Sequence, residues 1–139
     1  MNGNDFMAWV LRSPIHSLLS NGMMIISMTG RKTGKKITTP VGYYREGEYL
    51  WVLTSRERKW WRNLQGGAPV DLLLKRKPVQ GFAEVELEEE AVEMRMVEYL
   101  RHIPQAASRM GVRMQDQTPN SEDIARTAKD RLFVRIKLK

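Results

Sequence analysis

The sequence predicts a mainly β chain of the α+β class: six antiparallel strands closed into a barrel, with flanking helices. Three features carry that expectation. Val79 to Leu87 and Leu132 to Leu138 alternate inward and outward positions with the period of two that a half-buried strand requires. Short turns rich in glycine, proline or charge separate the strand-like runs, as antiparallel hairpins demand. From Glu88 the apolar period lengthens to that of a helix, and a last strand then returns to the sheet.

Composition narrows the function classes. With 139 residues the chain suits one domain spanning 1–139, long enough to bury about two thirds of the surface its unfolded form exposes. It contains no cysteine, which removes disulfides, thiolate metal sites and cysteine nucleophiles and makes a cytoplasmic setting the expectation. Met1 to Ser20 lacks a cationic leader region and spaces its apolar residues periodically, unlike a signal peptide. No apolar run approaches the length of a membrane span. The net charge of +7 calls for an anionic partner: nucleic acid, a lipid surface or a phosphorylated cofactor.

Phe6, Met7, Val10 and Leu11 recur at helical spacing behind the capping candidates Asn4 and Asp5. Ser13-Pro14 opens a further turn or two with Ile15, Leu18 and Leu19 inward and Asn21-Gly22 as the stop; His16 reads as a helix-surface residue. Met23 to Thr29 is a central strand. Next comes the densest stretch of the chain, Met28 to Pro40, with two glycines, four cations (Arg31, Lys32, Lys35, Lys36) and four threonines. A hairpin gains nothing from like charges crowded on its tip, so this turn is expected to grip a phosphate.

Ile37 to Tyr44 reads as the next strand, with Pro40 and Gly42 flattening one face. That face suits either a planar ring lying close to the backbone or a barrel corner. After the turn Arg45 to Glu48, the strand Tyr49 to Thr54 is expected to feed a helix capped by Ser55, packed through Trp60, Trp61 and Leu64 and stopped by Gly66-Gly67. Arg56, Arg58 and Lys59 would then sit in its first turn, where cations are unfavourable without an anion.

Val70 to Lys75 and Val79 to Leu87 pair across Arg76-Lys77-Pro78, and the second strand has a solvated face, which fits a barrel or a sandwich. Val92, Met96, Tyr99, Leu100 and Ile103 form the stripe of a helix that Pro104 ends. Met94, Met96, Met110 and Met114 suit either a ligand pocket or irregular core gaps. Gln105 to Gln117 continues loosely, Asn120 caps a short helix running to Lys129, and Leu132 to Leu138 closes the sheet with Phe133, Arg135 and Lys137 outward. His102 and the Glu88-Glu89-Glu90 run read as structural and solvated. No triad, paired catalytic carboxylates or metal cluster emerges, so no catalytic residue and no metal ligand is assigned.

Thr29-Gly30-Arg31-Lys32-Thr33-Gly34-Lys35, Thr38-Thr39-Pro40-Val41, Leu53-Thr54-Ser55 and Trp60-Trp61-Arg62-Asn63-Leu64, in this order, resemble the deazaflavin-dependent nitroreductase family. That family lies within the split β-barrel superfamily that includes pyridoxamine phosphate oxidases. The resemblance runs from about Met23 to Leu87, with a weaker echo in the last strand. It implies a split barrel that holds coenzyme F-420, or flavin mononucleotide (FMN) in neighbouring subfamilies, and moves a hydride between that ring and a small organic substrate. By position it implies that Arg31, Lys32, Lys35, Lys36, Thr38 and Thr39 approach the phosphate-bearing tail. Pro40 and Val41 would contact the ring, Thr54, Ser55 and Arg56 would bind phosphate or ring edge, and Lys59, Trp60 and Asn63 would follow. Only Arg56 to Lys59 separates Ser55 from the aromatic pair, where many members carry a longer insert, and Gln65-Gly66-Gly67-Ala68 replaces an Asn-Pro type of turn. A homodimer is expected from the resemblance alone.

Three functions follow from these readings: a deazaflavin or flavin oxidoreductase, a non-catalytic flavin or haem binder on the same barrel, and a nucleic-acid-binding barrel. The cations cluster at two strand ends instead of alternating with aromatics along a stripe, which places nucleic acid last.

Overall fold

The structure is a computed structural model that describes residues 22–139; the expected N-terminal helices and His16 lie outside the described residues. Its main sheet has seven antiparallel strands: β1 (Met23–Thr29), β2 (Lys36–Gly42), β3 (Tyr44–Glu46), β4 (Tyr49–Ser55), β5 (Ala68–Leu74), β6 (Lys77–Glu86) and β9 (Arg131–Leu138). They run in the order β2-β1-β5-β6-β9-β4-β3. The short strands β7 (Met114–Gln115) and β8 (Thr118–Pro119) pair apart from this sheet.

The seventh strand arises because Ile37 to Tyr44 is not one strand. It breaks at Tyr43, whose N–H donates to the Gly22 carbonyl at 3.0 Å instead of to a sheet neighbour. Before the break β2 pairs with β1, and after it β3 pairs with β4. One continuous run therefore supplies both edges of the sheet, and only a strongly curled sheet lets a single linking residue join its two margins. Mostly β with a curled antiparallel sheet, the fold is the expected α+β half-barrel with one strand more than the sequence suggested.

The barrel interior is filled by alternate residues: Met24, Ile26 and Met28 from β1, Leu50 and Val52 from β4, Val70, Leu72 and Leu74 from β5, and Leu132, Val134 and Ile136 from β9. A 3-10 helix, Trp60–Leu64, contributes Trp60, Trp61 and Leu64 to this core. Ser55 ends β4 instead of capping an α-helix. A turn follows, in which the Arg58 N–H donates to the Ser55 carbonyl at 3.2 Å, and the 3-10 helix begins after Lys59 with no side-chain cap. Arg56 and Arg58 thus precede the helix, and Lys59 stands at its N-cap, where the expectation is all three in the first turn of an α-helix.

A second apolar layer packs on the outside of β4 and β9. It consists of α1 (Glu89–His102), α2 (Ala106–Met110) and α3 (Ser121–Ala128), built on Val92, Met96, Leu100, Ala107, Ile124 and Ala128. Phe133, expected to face solvent, is fully buried beneath these helices, in edge contact with Trp51 and Tyr99. Asn120 caps α3 as expected, its side-chain oxygen accepting from the Asp123 N–H at 3.0 Å. The methionines divide: Met96 is core, whereas Met94 is 75% exposed. Among the described residues no helix is long and apolar enough to cross a membrane.

Candidate functional site

The β1–β2 turn is tight because its glycines allow it. The Gly30 N–H donates to the Lys35 carbonyl and the Gly34 N–H to the Gly30 carbonyl, each at 2.8 Å, with Gly34 at φ +71°. A Cβ on Gly30 would stand 3.2 Å from the Lys35 carbonyl oxygen, so the turn admits little else there. This geometry leaves Arg31, Lys32, Lys35 and Lys36 exposed on one tip. Lys32, Lys35 and Lys36 have no acidic partner within ion-pair distance among the described residues.

Arg31 is different. Its backbone N–H donates to Asn63 Oδ1 at 2.9 Å, and its guanidinium donates to the Gln65 carbonyl. Asn63 in turn donates to the Trp60 carbonyl at 3.0 Å. Arg31 and Asn63 therefore dock the basic tip on the 3-10 helix, and the two stretches singled out in the sequence meet through these two side chains.

Trp60 of the same helix borders a cleft of about 340 Å³, lined also by Pro40, Val41, Thr54, Ser55 and Arg58, with Gly42 and Arg131 among its other walls. The topology explains why it exists. Among the described residues strand β2 is an edge, bonded only to β1, and β3 covers only Tyr49–Trp51 of β4. Among the described residues no strand pairs with Val52–Ser55 on that side, and this margin faces that of β2 across a split. Pro40, which has no N–H to donate, suits an edge strand, and the strand breaks just past Gly42, at the barrel corner that is one of the two readings of this face. Thr54 is buried, and Ser55 Oγ accepts from the Glu57 N–H at 3.3 Å.

Four expected site residues stand elsewhere. Arg56 is held by main-chain carbonyls: its Nε donates to Arg131 at 2.9 Å and an Nη to Leu87 at 2.7 Å. It braces the start of β9 against the end of β6. Thr38 shares a hydrogen bond of 3.0 Å with Ser27 on the outer face of the β1–β2 pair. Thr39 is half-buried on the same strand, and Lys59 is exposed at the start of the 3-10 helix. Lys36 also borders a separate depression of about 430 Å³ across β1, β5 and β6, where Asp71 opposes the binding of an anion.

Arg58, which the sequence marks as a cation in want of an anion, lines the cleft, whereas Arg131 is a cleft residue that the sequence does not single out. Arg131 starts a strand far along the chain, and only the β4–β9 register, which sets it opposite Ser55, brings it to the site. A cation at the start of the last strand was the only available signal. Among the described residues one trio offers metal-ligand atoms within 4.8 Å of one another, Glu46, Glu98 and His102. Both carboxylates already accept from guanidiniums, Glu46 from Arg95 at 3.1 Å and Glu98 from Arg101 at 2.6 Å.

The donor set fits a phosphorylated planar cofactor. A split lined by two hydroxyl side chains and walled by Trp60 of the 3-10 helix stands beside the tip that Arg31 and Asn63 dock on that helix. Lys32, Lys35 and Lys36 of that tip have no acidic partner among the described residues. A family model described as "F420H(2)-dependent quinone reductase" matches residues 14–114, which include every residue of the cleft except Arg131. No curated protein matches the chain in sequence. Among solved structures the chain is similar to a candidate pyridoxamine 5'-phosphate oxidase of Listeria innocua, with 11% identity over 90% of each chain and a TM-score of 0.56. It is similar to an F-420 reductase at 14% identity, over 89% of this chain and 92% of the other, with a TM-score of 0.50. A FAD and haem binding protein of Mycobacterium smegmatis shares 18% identity over 92% and 71% of the two chains, also with a TM-score of 0.50. At such identities the structural likenesses establish the fold.

Proposed function

The chain belongs to the F-420-dependent quinone reductase family, and on that premise we propose that 1–139 acts as one unit, an oxidoreductase that binds coenzyme F-420 in the split between β2 and β4 and passes a hydride between it and a small organic substrate. One observation carries the reading: Arg31 and Asn63 fasten a lysine-bearing tip to the 3-10 helix whose Trp60 walls the split. Phosphate grip and ring cleft are thereby held at a fixed spacing.

When bound, the deazaflavin ring supplies the hydride chemistry. The protein's part is binding and orientation. Lys32, Lys35 and Lys36 hold the phosphate-bearing tail through charge that no carboxylate of the described residues offsets. Pro40, Val41 and Gly42 present a flat wall to the ring, and the strand margins with Thr54 and Ser55 offer hydrogen bonds to its polar edge. Trp60, buried at the base of the split, excludes water from that side. Arg58 and Arg131 at the mouth favour a ring that carries developing negative charge.

The test is acceptor-dependent oxidation of the reduced coenzyme. Mixing the purified chain with reduced F-420 and a panel of quinones and nitroaromatics should restore the absorbance of the oxidised coenzyme with at least one acceptor, faster than without protein. Rates equal to the protein-free background across the panel would overturn the assignment as an enzyme.

A further inference from the structure

A larger cleft of about 910 Å³ adjoins the narrow split, and Met23, Gly42, Leu53 and Arg131 line both. That volume is on the scale of a small-molecule site. Its walls come from the β2–β3 link, the C-terminal half of α1, and α2. One side is aromatic: Tyr44 stacks on His102 at 4.7 Å and 17°, and Tyr99 meets Tyr44 edge-on at 5.7 Å. The cations of the cleft are Arg109 from α2, Arg131 from β9 and, next to Tyr44 on β3, Arg45, and no aspartate or glutamate lines it among the described residues.

Neither Arg109 nor Arg131 has a carboxylate within ion-pair distance among the described residues. They reach the cleft from elements distant in sequence, yet both act on the Tyr99 hydroxyl. Burial raises the pKa of that hydroxyl, and the two guanidiniums oppose the rise, Arg109 the more strongly. Both guanidiniums thus share the lining of one cleft with Tyr99 and lie within electrostatic reach of it. Glu46 and Glu98 approach the opposite end at His102, but Arg95 and Arg101 hold them there. The cleft is therefore lined by positive charge, with Arg109 and Arg131 the guanidiniums that act on Tyr99, while Arg45 beside Tyr44 donates its Nε to the Gly47 carbonyl at 3.0 Å.

A planar guanidinium matches a carboxylate through paired N–H donors and stays charged at any working pH. We propose that the larger cleft binds a planar aromatic carboxylate, its carboxylate between Arg109 and Arg131 and its ring against the tyrosine wall. As a statement of substrate class this rests on the function proposed above; as a statement of binding it needs no coenzyme. An acidic group on the coenzyme tail offers the same chemistry to the same arginines, and the experiment separates the two sources.

Calorimetric titrations of the full chain compare 2-naphthoate with its neutral analogue 2-naphthamide, with and without F-420. The acid should bind at least about tenfold more tightly than the amide, the scale of one charge-assisted hydrogen bond. Arg109→Gln should erase that preference while leaving amide binding, coenzyme affinity and melting temperature unchanged, since Arg109 is exposed and lines only the larger cleft. Equal affinities for acid and amide, or a preference that survives Arg109→Gln, would overturn the proposal. Competition between naphthoate and the coenzyme would overturn it too, by assigning the arginines to the coenzyme's tail. Naphthoate binding by a chain that takes up no F-420 would remove the oxidoreductase reading and leave the pocket assignment standing.

Discussion

Asp123 shows how much one buried carboxylate organises here. It accepts from the Arg113 backbone N–H and Nε at 2.9 Å each, and from Arg126 at 3.2 Å, with its side chain only 3% exposed. These bonds, the Arg113 side chain first, lower its pKa to about 2 from an ordinary 3.8. A depressed carboxylate contributes stability that is fully present above its unfolded pKa and lost as pH falls through the folded one. Asp123→Asn should therefore melt below wild type at neutral pH, and the gap should close between about pH 4 and pH 2. A gap constant across that window would contradict the ionised clamp. At the proposed phosphate grip, Lys35 and Lys36 make no contact that the fold requires. Changing both to Ala should weaken F-420 binding by about tenfold or more, the loss of at least one charge-assisted contact, with no change in melting temperature. Unaltered affinity in a titration would remove the grip from the account.

At the scale of elements, the sequence was most legible where packing obeys a single period. Strand β6 buries Gly81 and Ala83 and exposes Phe82 and Glu84, as its alternation indicates. Gly81 is more than an inward position: a Cβ there would stand 2.7 Å from Ile136 Cγ2 and 2.9 Å from the Lys137 carbonyl oxygen. Gly81→Ala should cost about 1–3 kcal/mol through overpacking, measured by urea unfolding, and a neutral result would contradict this close approach of β6 and β9. Strand β9 misled the same reasoning, because alternation distinguishes two faces without saying that both are covered. Phe133 falls on the outward phase and is buried by helices that no local pattern places there. Lys75 and Arg76 turn the β5–β6 hairpin at positive φ, so Lys77 and Pro78 belong to the strand. Neither residue type signals such a turn. The 3-10 helix was read as a longer capped helix because Trp60, Trp61 and Leu64 satisfy helical spacing over one turn as well as over three. Its Asn63 gives a direct test of docking. Asn63→Ala should loosen the basic tip and lower coenzyme affinity less than the double lysine change, while retaining the fold by circular dichroism. A wild-type affinity would show that docking by Arg31 and Asn63 does not set the grip.

For the whole molecule, the feature that makes a site is the shared origin of the two sheet edges. Six of the seven main strands could be read in order from alternation and turn signals, and so could the exposed basic tip. The break at Tyr43 could not, since it depends on sheet curl, a property of all seven strands together. That break creates the split in which Thr54, Ser55 and Trp60 meet Pro40 and Val41, and the β4–β9 register adds Arg131. The candidate residues were thus largely visible in the sequence, whereas their division into tip, split and outer face was not. Thr38 on the outer face and Arg56 as a brace are the clearest instances. The central claim, a split barrel built to hold a deazaflavin, is tested most directly by fluorescence titration of the intact chain with coenzyme F-420 and, in parallel, with FMN. The account predicts saturable F-420 binding well below the millimolar range, where association amounts to roughly 4 kcal/mol, and weaker binding of FMN. Absence of F-420 binding at millimolar coenzyme, or a clear preference for FMN, would contradict it.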